Sequence, residues 1–268
     1  MRNTRFYWLA LLGTGLVLGG CSEPAHNSEN QQAEAPAGAA TGDAIDPAEL
    51  DALRSRLAGL QGQAQRIRDA NDIKRLQRSY GYYMEEALWD EVADLFADDA
   101  TLEFGRDGVY RGKARIREYL FALNDGKQGL QQGQLNEQLQ LMPVVTLGED
   151  GRTAKARWRS IMMTGTLGEQ ALWGEGPYEN EYVKEDGVWK FSRLHWFQTI
   201  LVPYKGGWAK SEDVNHGIWV SDRLPADEPP TTSYGYWPET FLPPFSFENP
   251  VGRYVPPDSA TSSSEGGQ

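Results

Sequence analysis

Apolar residues recur with helical spacing in the first half of the chain and with strand spacing in the second. The first periodic segment advances alternately by three and four residues, which is typical of a heptad seam. Asp46-Pro47 in front of it favours a helix start. The seam consists of Leu50, Leu53, Leu57, Leu60, Ala64 and Ile67. This pattern predicts a helix over 46–69, either a short coiled coil that joins subunits or an amphipathic helix lying on its own domain.

Further helices are predicted over 71–86 and 89–96 and after Gly112, where apolar residues keep the helical period. A short strand at 100–105 separates the last two. Longer strands are predicted after that, with an Asp-Gly hairpin turn before the last one; they cover 135–147, 153–167, 171–184 and 188–201. Helices followed by an antiparallel meander predict an α+β fold, with the helices packed on one face of a curved sheet.

The segments outside this pattern have a different composition. Residues 21–45 are small and polar, which predicts a disordered tether. Residues 203–257 are rich in Pro, Gly and aromatic residues and show no period, so we expect an extended arm that packs on its own domain or on a neighbour. Residues 258–268 are predicted to be a disordered tail.

The first 20 residues predict export. Arg2 and Arg5 precede an apolar run over 6–18, which is shorter than the roughly 20 residues of a transmembrane helix. The run ends in Leu18-Gly-Gly-Cys21, which resembles the lipobox of bacterial lipoproteins. That resemblance implies cleavage before Cys21 and a lipid anchor on its thiol; an ordinary secretory signal is the alternative. Ser22 after the cysteine favours the outer membrane, facing the periplasm, over the inner membrane.

Charge and composition exclude several classes of protein. Loss of Arg2 and Arg5 with the signal would change the formal charge from −12 to −14, so nucleic acid is not an expected partner. Cys21 is the single cysteine, which excludes disulfides within the chain and zinc sites built from several thiolates. The three histidines and the carboxylates show no metal-ligand spacing, so no metal is expected.

Several motifs in a fixed order carry a family resemblance. They are Ile73-x-x-Leu76-x-x-x-Tyr80, Trp89-Asp-Glu-Val-Ala-Asp-Leu-Phe-Ala-Asp-Asp-Ala-Thr-Leu-Glu-Phe104, Gly112-Lys-Ala-Arg-Ile116 and Asp186-Gly-Val-Trp-Lys-Phe191. Over 70–202 the chain resembles the SnoaL-like, scytalone dehydratase-like branch of the nuclear transport factor 2-like superfamily. The resemblance implies a cone-shaped, curved antiparallel sheet packed by three N-terminal helices, here with an extra N-terminal helix and a C-terminal arm. Its enzymes need no cofactor and move protons with titratable groups in an apolar cone.

His195 is the leading candidate for such a group. Strand alternation puts it on one face with Trp189 and Phe191, and in the family the aromatic residues of that pattern face the cone. A neutral imidazole there could act as general acid or base. The alternative is a core histidine with a structural hydrogen bond. His216, in an irregular Gly- and Asn-flanked segment, is a weaker candidate.

Glu85 is the second candidate, because it lies four residues before Trp89, where the dehydratase pattern has an aspartate. Tyr83 stands one residue before the place of that pattern's tyrosine. Glu86 would replace Glu85 if the register were shifted by one. A solvated carboxylate at the helix end is the alternative reading of either glutamate.

Alternation along the third long strand predicts that Tyr178, Asn180 and Tyr182 share the face of the pocket, where Asn180 could hold a substrate oxygen. The expected walls are Tyr80, Phe104, Trp158 and Trp173. Ordinary core packing would explain the same aromatic residues.

Three functions remain open at this point. The first is a tethered, cofactor-free lyase or isomerase that moves a proton on a small aromatic or polycyclic molecule. The second is a non-catalytic periplasmic protein that binds an apolar small molecule in the cone. The third is an envelope assembly protein that forms a homo-oligomer through the 46–69 helix and the C-terminal arm.

Overall fold

The computed structural model describes residues 46–210 and 220–251. The predicted signal, Cys21 and the tether, as well as His216 and the tail, lie outside these residues. None of the helices in the described ranges is both long and apolar enough to cross a membrane.

The first helix, α1, runs without interruption over Pro47–Glu85. The sequence predicted two helices that separate near residue 70, and this boundary was wrong. The intervening segment, Asp69-Ala-Asn-Asp72, contains neither Pro nor Gly and so can continue a helix. Asp69 is buried and accepts hydrogen bonds from Lys184 Nζ (2.6 Å) and Trp189 Nε1 (2.9 Å), which fix the middle of α1 against the sheet.

Two shorter helices complete the layer on the sheet, α2 over Trp89–Asp94 and α3 over Lys113–Leu123. The residues of α3 that face the core, Ile116, Tyr119 and Leu120, follow the predicted helical period. A one-turn helix α4 (Gly207–Lys210) and a 3₁₀ turn (Val220–Asp222) follow the sheet.

The sheet has seven strands, of which β3, β4 and β5 are long. Their bounds are β1 Phe96–Phe104, β2 Val109–Arg111, β3 Gln134–Leu147, β4 Thr153–Thr166, β5 Gln170–Glu185, β6 Val188–Trp196 and β7 Ile200–Pro203. The order is β2-β1-β6-β5-β4-β3, with β7 pairing a separate stretch of β5. The predicted α+β fold is thereby confirmed. One detail differs from the antiparallel prediction, because β1 pairs with β6 in parallel and the sheet is mixed.

The register of the strand pairs is irregular in β3 and in β6. In β3 the register shifts at Met142-Pro143, where Met142 has a positive φ of 51° and Pro143 has no N–H to donate. In β6 Phe191 pairs with Tyr182 and Arg193 with Glu181, so Ser192 is one extra residue. Bulges of this kind bend a sheet and move later side chains to the other face.

Residues 231–243 of the C-terminal arm pack on the face of the sheet opposite the helices. Thr231 donates from its N–H and its hydroxyl to the two carboxylate oxygens of Glu103 on β1 (2.7 and 2.6 Å). Tyr234 and Phe241 stack on each other and against Phe197, just after β6. The described part of the arm therefore packs on its own domain, one of the two arrangements expected from the sequence.

Candidate functional site

A cavity of about 200 Å³ lies between the helices and the inner face of the sheet. The end of α1 contributes Met84, the turn after it contributes Ala87, and the sheet contributes Met162 and Leu172. Leu130 and Leu135 also line it and are 36% and 50% exposed, so this side of the cavity reaches the surface. The wall is mainly apolar, as in pockets for small molecules.

Trp196 and Phe104 form the aromatic part of the wall. Their rings stack with centroids 4.3 Å apart and planes 25° from parallel. Trp196 Nε1 donates to Ser160 Oγ at 2.8 Å, and that hydroxyl donates to the carbonyl oxygen of Gly176 at 2.9 Å. These hydrogen bonds hold the indole in one orientation against the cavity.

Gly176 is needed for this arrangement because β5 comes very close to the chain after β6. A Cβ at this position would lie 2.0 Å from the carbonyl oxygen of Phe197 and 2.9 Å from Trp196 Nε1. A residue with a side chain would therefore push the two segments apart and shift the indole.

Uncharged amides supply most of the polar groups in the wall. Asn136 Nδ2 donates to the carbonyl of Met84 (2.6 Å), and Gln138 Nε2 donates to Asn136 Oδ1 (3.0 Å). Two buried amide atoms in the wall, Gln138 Oε1 and Gln198 Nε2, have no hydrogen-bond partner among the described residues. Both residues line the cavity, so one unpartnered acceptor and one unpartnered donor lie beside it.

The titratable groups of the wall are Asp107 and Tyr119, which sequence reasoning did not select as site residues. The Tyr119 hydroxyl donates to Asp107 Oδ2 at 2.9 Å, and the N–H and hydroxyl of Ser221 donate to Oδ1. Burial raises the pKa of Asp107, and the hydrogen bonds only partly offset this effect. Burial also raises the pKa of Tyr119 well above its usual value, with the nearby Asp107 adding to the effect. Asp107 is therefore the carboxyl with a perturbed pKa at the cavity.

His195 does not line the cavity, contrary to its predicted position. The extra residue Ser192 reverses the alternation of β6. Before it, Trp189 and Phe191 point inward as predicted. After it, the inward residues are Leu194 and Trp196, and Arg193 and His195 point outward. His195 consequently points to the outer face of the sheet, under the C-terminal arm.

The surroundings of His195 correspond to the structural alternative. Its ring is fully buried and stacks on Phe197 with centroids 3.7 Å apart. Arg193 donates to its Nδ1 (2.8 Å), and Glu103 Oε2 lies 3.4 Å from the same atom. Burial and the positive charge of Arg193 lower the pKa of His195 to about 3. The imidazole is therefore neutral at neutral pH, and it is not on the cavity wall.

Glu85 and Tyr83 also lie away from the cavity. Glu85 is the last residue of α1 and accepts a hydrogen bond from the backbone N–H of Gln138 (3.2 Å), beside a surface groove between α1 and β3. Burial raises the pKa of Glu85, with the backbone hydrogen bond acting against it. Glu86 is exposed, and Tyr83 is partly buried among core residues. Met84 near the end of α1 and Ala87 in the turn after it line the cavity in their place.

Five of the predicted pocket residues form closed core beyond the cavity. Gln77 Oε1 accepts hydrogen bonds from Asn180 Nδ2 (2.9 Å) and the Tyr182 hydroxyl (2.8 Å). The same hydroxyl accepts from Trp158 Nε1 (3.0 Å). The members of this cluster are at most 1% exposed and do not line the cavity: Tyr80, Trp158, Tyr178, Asn180 and Tyr182.

Of the two other predicted wall residues, Phe104 lines the cavity and Trp173 does not. Trp173 stacks on Tyr204, while its neighbour Leu172 faces the cavity. The strand alternation would have identified Trp196 and Gln198 if the bulge at Ser192 had been known. No pattern in the sequence indicated Asp107, which lies in the loop between β1 and β2.

No group of three or more His, Cys, Asp or Glu side chains in the described part of the chain is arranged to hold a metal ion.

A helix layer on a curved mixed sheet, with a cavity of small-molecule size between them, defines the class as a cone-shaped α+β domain. Residues 65–195 match the model of the SnoaL-like domain. The chain therefore carries a SnoaL-like domain, and the resemblance inferred from the sequence motifs is confirmed.

Solved structures with a similar fold have low sequence identity to this chain. A candidate scytalone dehydratase from Novosphingobium aromaticivorans is 19% identical, with a TM-score of 0.47, over 53% of this chain and 91% of that one. A hexachlorocyclohexane dehydrochlorinase, LinA-type3, from Novosphingobium barchaimii is 17% identical, with a TM-score of 0.46, over 54% and 95%. An NTF2-like protein with a cystatin-like fold, also from N. aromaticivorans, is 16% identical, with a TM-score of 0.41, over 53% and 89%. At these identities the similarity concerns the fold alone.

Proposed function

We propose that the cone binds one small, uncharged and largely apolar molecule that carries both a hydrogen-bond donor and an acceptor. The observation that carries this proposal is the pair of unpartnered amide atoms in the wall, Gln138 Oε1 and Gln198 Nε2. A buried polar atom without a partner costs about 1–3 kcal/mol. A ligand hydroxyl or carbonyl that paired with these atoms would remove that cost.

The size and lining of the cavity support a molecule built around one ring. A dry protein cavity of about 150 Å³ is known to hold benzene, and this cavity has about 200 Å³. Trp196 and Phe104 offer ring faces, and the thioethers of Met84 and Met162 pack well against aromatic groups. A substituted monocyclic aromatic alcohol or ketone suits this combination.

The charge of the wall favours a neutral ligand. Among the described residues that line the cavity there is no Lys, Arg or His to pair with an anion. Asp107 is the carboxyl of the wall, and Tyr119 and Ser221 already donate to both of its oxygens. A carboxylate ligand would be buried without a partner, which is strongly unfavourable.

A cofactor-free lyase or isomerase is the second candidate, and Asp107 is the observation that favours it. A buried carboxyl with a raised pKa can accept a proton from carbon beside a carbonyl. In this version Asp107 takes the role that the sequence suggested for His195.

The location proposed for this domain is the periplasmic side of the outer membrane, held there by a lipid on Cys21. The lipobox-like Leu18-Gly-Gly-Cys21 and the following Ser22 support this location.

The binding proposal is tested with a panel of monocyclic aromatic alcohols and ketones, by thermal shift and calorimetry. Gln138→Met and Gln198→Met each remove one unpartnered atom, so each is expected to weaken the best ligand about tenfold, the equivalent of one hydrogen bond. The exposed Gln128→Met is the matched control and should leave the affinity unchanged. If no member of the panel binds, or if both cavity variants bind like wild type, the proposal is wrong.

The same panel distinguishes the two candidates when turnover is followed together with binding. Turnover by wild type that Asp107→Asn abolishes, with ligand affinity retained, would establish the lyase or isomerase function. Binding with no turnover in either protein would leave ligand binding as the function.

A further inference from the structure

The N-terminal half of α1 exposes a stripe of large apolar side chains. Leu53, Leu57, Leu60 and Ile67 are 52%, 56%, 54% and 64% exposed. Together with the partly buried Leu50 and Ala64 they form the complete heptad seam. The helix meets the sheet near Arg66, which donates to the carbonyl oxygens of Leu147 and Gly148. The stripe therefore extends beyond the part of α1 that the sheet supports.

This half of the helix also has weak intrinsic stability. Gly59 and Gly62 both lie within it, and nothing lies within 4 Å of where their Cβ atoms would be. No close contact with another described residue therefore requires a glycine at either position, and both glycines lower the helix propensity. Amphipathic helices in proteins gain most of their stability from packing their apolar face. A partner on the seam would supply that packing.

We propose that the seam pairs with the same seam of a second copy of this chain, in a parallel, two-stranded coiled coil. The steps of three and four place Leu50, Leu57 and Ala64 at a positions and Leu53, Leu60 and Ile67 at d positions. Both glycines then fall outside the seam, at c and f positions. The apolar contact is therefore continuous over the whole stripe.

The charges beside the seam select the parallel orientation. In a parallel pair each g position faces the following e position of the other helix. Glu49 then faces Arg54 of the second copy, Arg56 faces Gln61, and Gln63 faces Arg68. The two copies thus gain two opposite-charge pairs and no like-charge pair.

An antiparallel pair would lose these contacts. There e positions face e positions, so Arg54 and Arg68 would face each other or Gln61. Glu49, at a g position, would face g positions of the second copy and would meet neither of these arginines. The proposed lipid on Cys21 would also hold two copies on one membrane side by side, which raises their effective concentration for so short a seam.

The orientation can be tested by disulfide crosslinking of the full-length protein in its membrane. Leu53→Cys at a d position should give a crosslinked dimer on mild oxidation, because parallel pairing places this residue beside its own copy. Ala58→Cys at the outward b position, and the parent chain with Cys21 alone, should stay uncrosslinked. An antiparallel pair would crosslink only a mixture of Leu53→Cys and Ala64→Cys chains. That result, or the absence of any crosslink from Leu53→Cys, would overturn the proposal.

A second pair of variants checks that the apolar seam drives the pairing. Leu57→Asp, added to Leu53→Cys, should lower the crosslinked fraction at least tenfold, while Ala58→Asp makes the same charge change outside the seam and should not. Both positions are exposed, so neither variant disturbs the core. Crosslinking that survives Leu57→Asp would contradict the proposal. Ligand binding in the cavity should be unchanged in both variants, so this test is independent of the proposed function.

Discussion

His195 illustrates at the residue scale how position decides chemistry. In the sequence it is the histidine that strand alternation places among cone-facing residues. In the structure it is a fully buried ring stacked on Phe197, with a pKa of about 3. The surroundings suit a structural role, because the neutral ring packs on Phe197 and accepts a hydrogen bond from Arg193.

This burial predicts a specific dependence of stability on pH. The unfolded state takes up a proton on His195 near pH 6.5, while the folded state does so only near pH 3. Between these values the unfolded state binds more protons, so the free energy of unfolding falls as the pH is lowered from about 6.5 toward 3. One proton gives a slope of up to about 1.4 kcal/mol per pH unit. His195→Gln should therefore flatten the curve obtained by urea unfolding at several pH values in this window.

The comparison with wild type isolates this histidine from other titrating groups. Asp107, Glu179 and Glu85 have raised pKa values and contribute in the opposite direction in both proteins. If the wild-type and His195→Gln curves run parallel from pH 7 to pH 4, His195 is not buried as described.

At the scale of elements, β5 decides both the curvature of the sheet and the shape of the cavity. One stretch of it pairs with β6 and another with β7, and Gly176 lies between these two stretches. The backbone of Phe197 comes close to Gly176, and this contact fixes the end of β6 against β5. The position of the Trp196 indole in the cavity wall depends on it.

Gly176→Ala should destabilise the protein by about 1–3 kcal/mol, as overpacking does in other cores. The reason is that the added methyl would meet the backbone oxygen of Phe197, which cannot move without distorting the sheet. Gly174→Ala on the same strand is the matched control. Its methyl would meet mainly the flexible end of Met162, at 2.8 Å, so a smaller loss is expected. Equal losses for the two variants in denaturant unfolding would show that the contact with Phe197 does not matter.

At the scale of the whole molecule, one chain combines a proposed lipid-anchor signal, a helix with an exposed seam, a cone and an arm that covers the outer face of the sheet. With the outer face covered, the cavity reaches the surface at the end of the cone near Leu130 and Leu135. The proposed anchor would keep this opening in the periplasm.

The anchor predicts that the full-length protein incorporates labelled fatty acid and fractionates with the outer membrane. Cys21→Ser should abolish the incorporation, because the thiol is the group that accepts the lipid. Ser22→Asp should keep the label but move the protein to the inner membrane. A wild-type chain that carries no label would exclude the proposed anchor. A Ser22→Asp chain that stays in the outer membrane would contradict the sorting prediction.

The sequence by itself determined the helices, the long strands and the family of the domain. These features follow from local periodicity and from motifs such as Trp89 to Phe104, and both can be read along the chain. Even the continuous α1 differed from its prediction only in lacking a break near Asp69.

Tertiary structure alone decided which side chains line the cavity. The alternation of a strand identifies its inward face only as far as the first bulge. At Ser192 the register of β6 shifts relative to both of its neighbours, β5 and β1, and this pairing is not visible in the sequence of β6 itself. That single residue places Trp196 in the cavity and His195 outside it. Asp107 reaches the wall through a loop held by Ser221, more than 100 residues later in the chain, and local sequence patterns do not report such distant contacts.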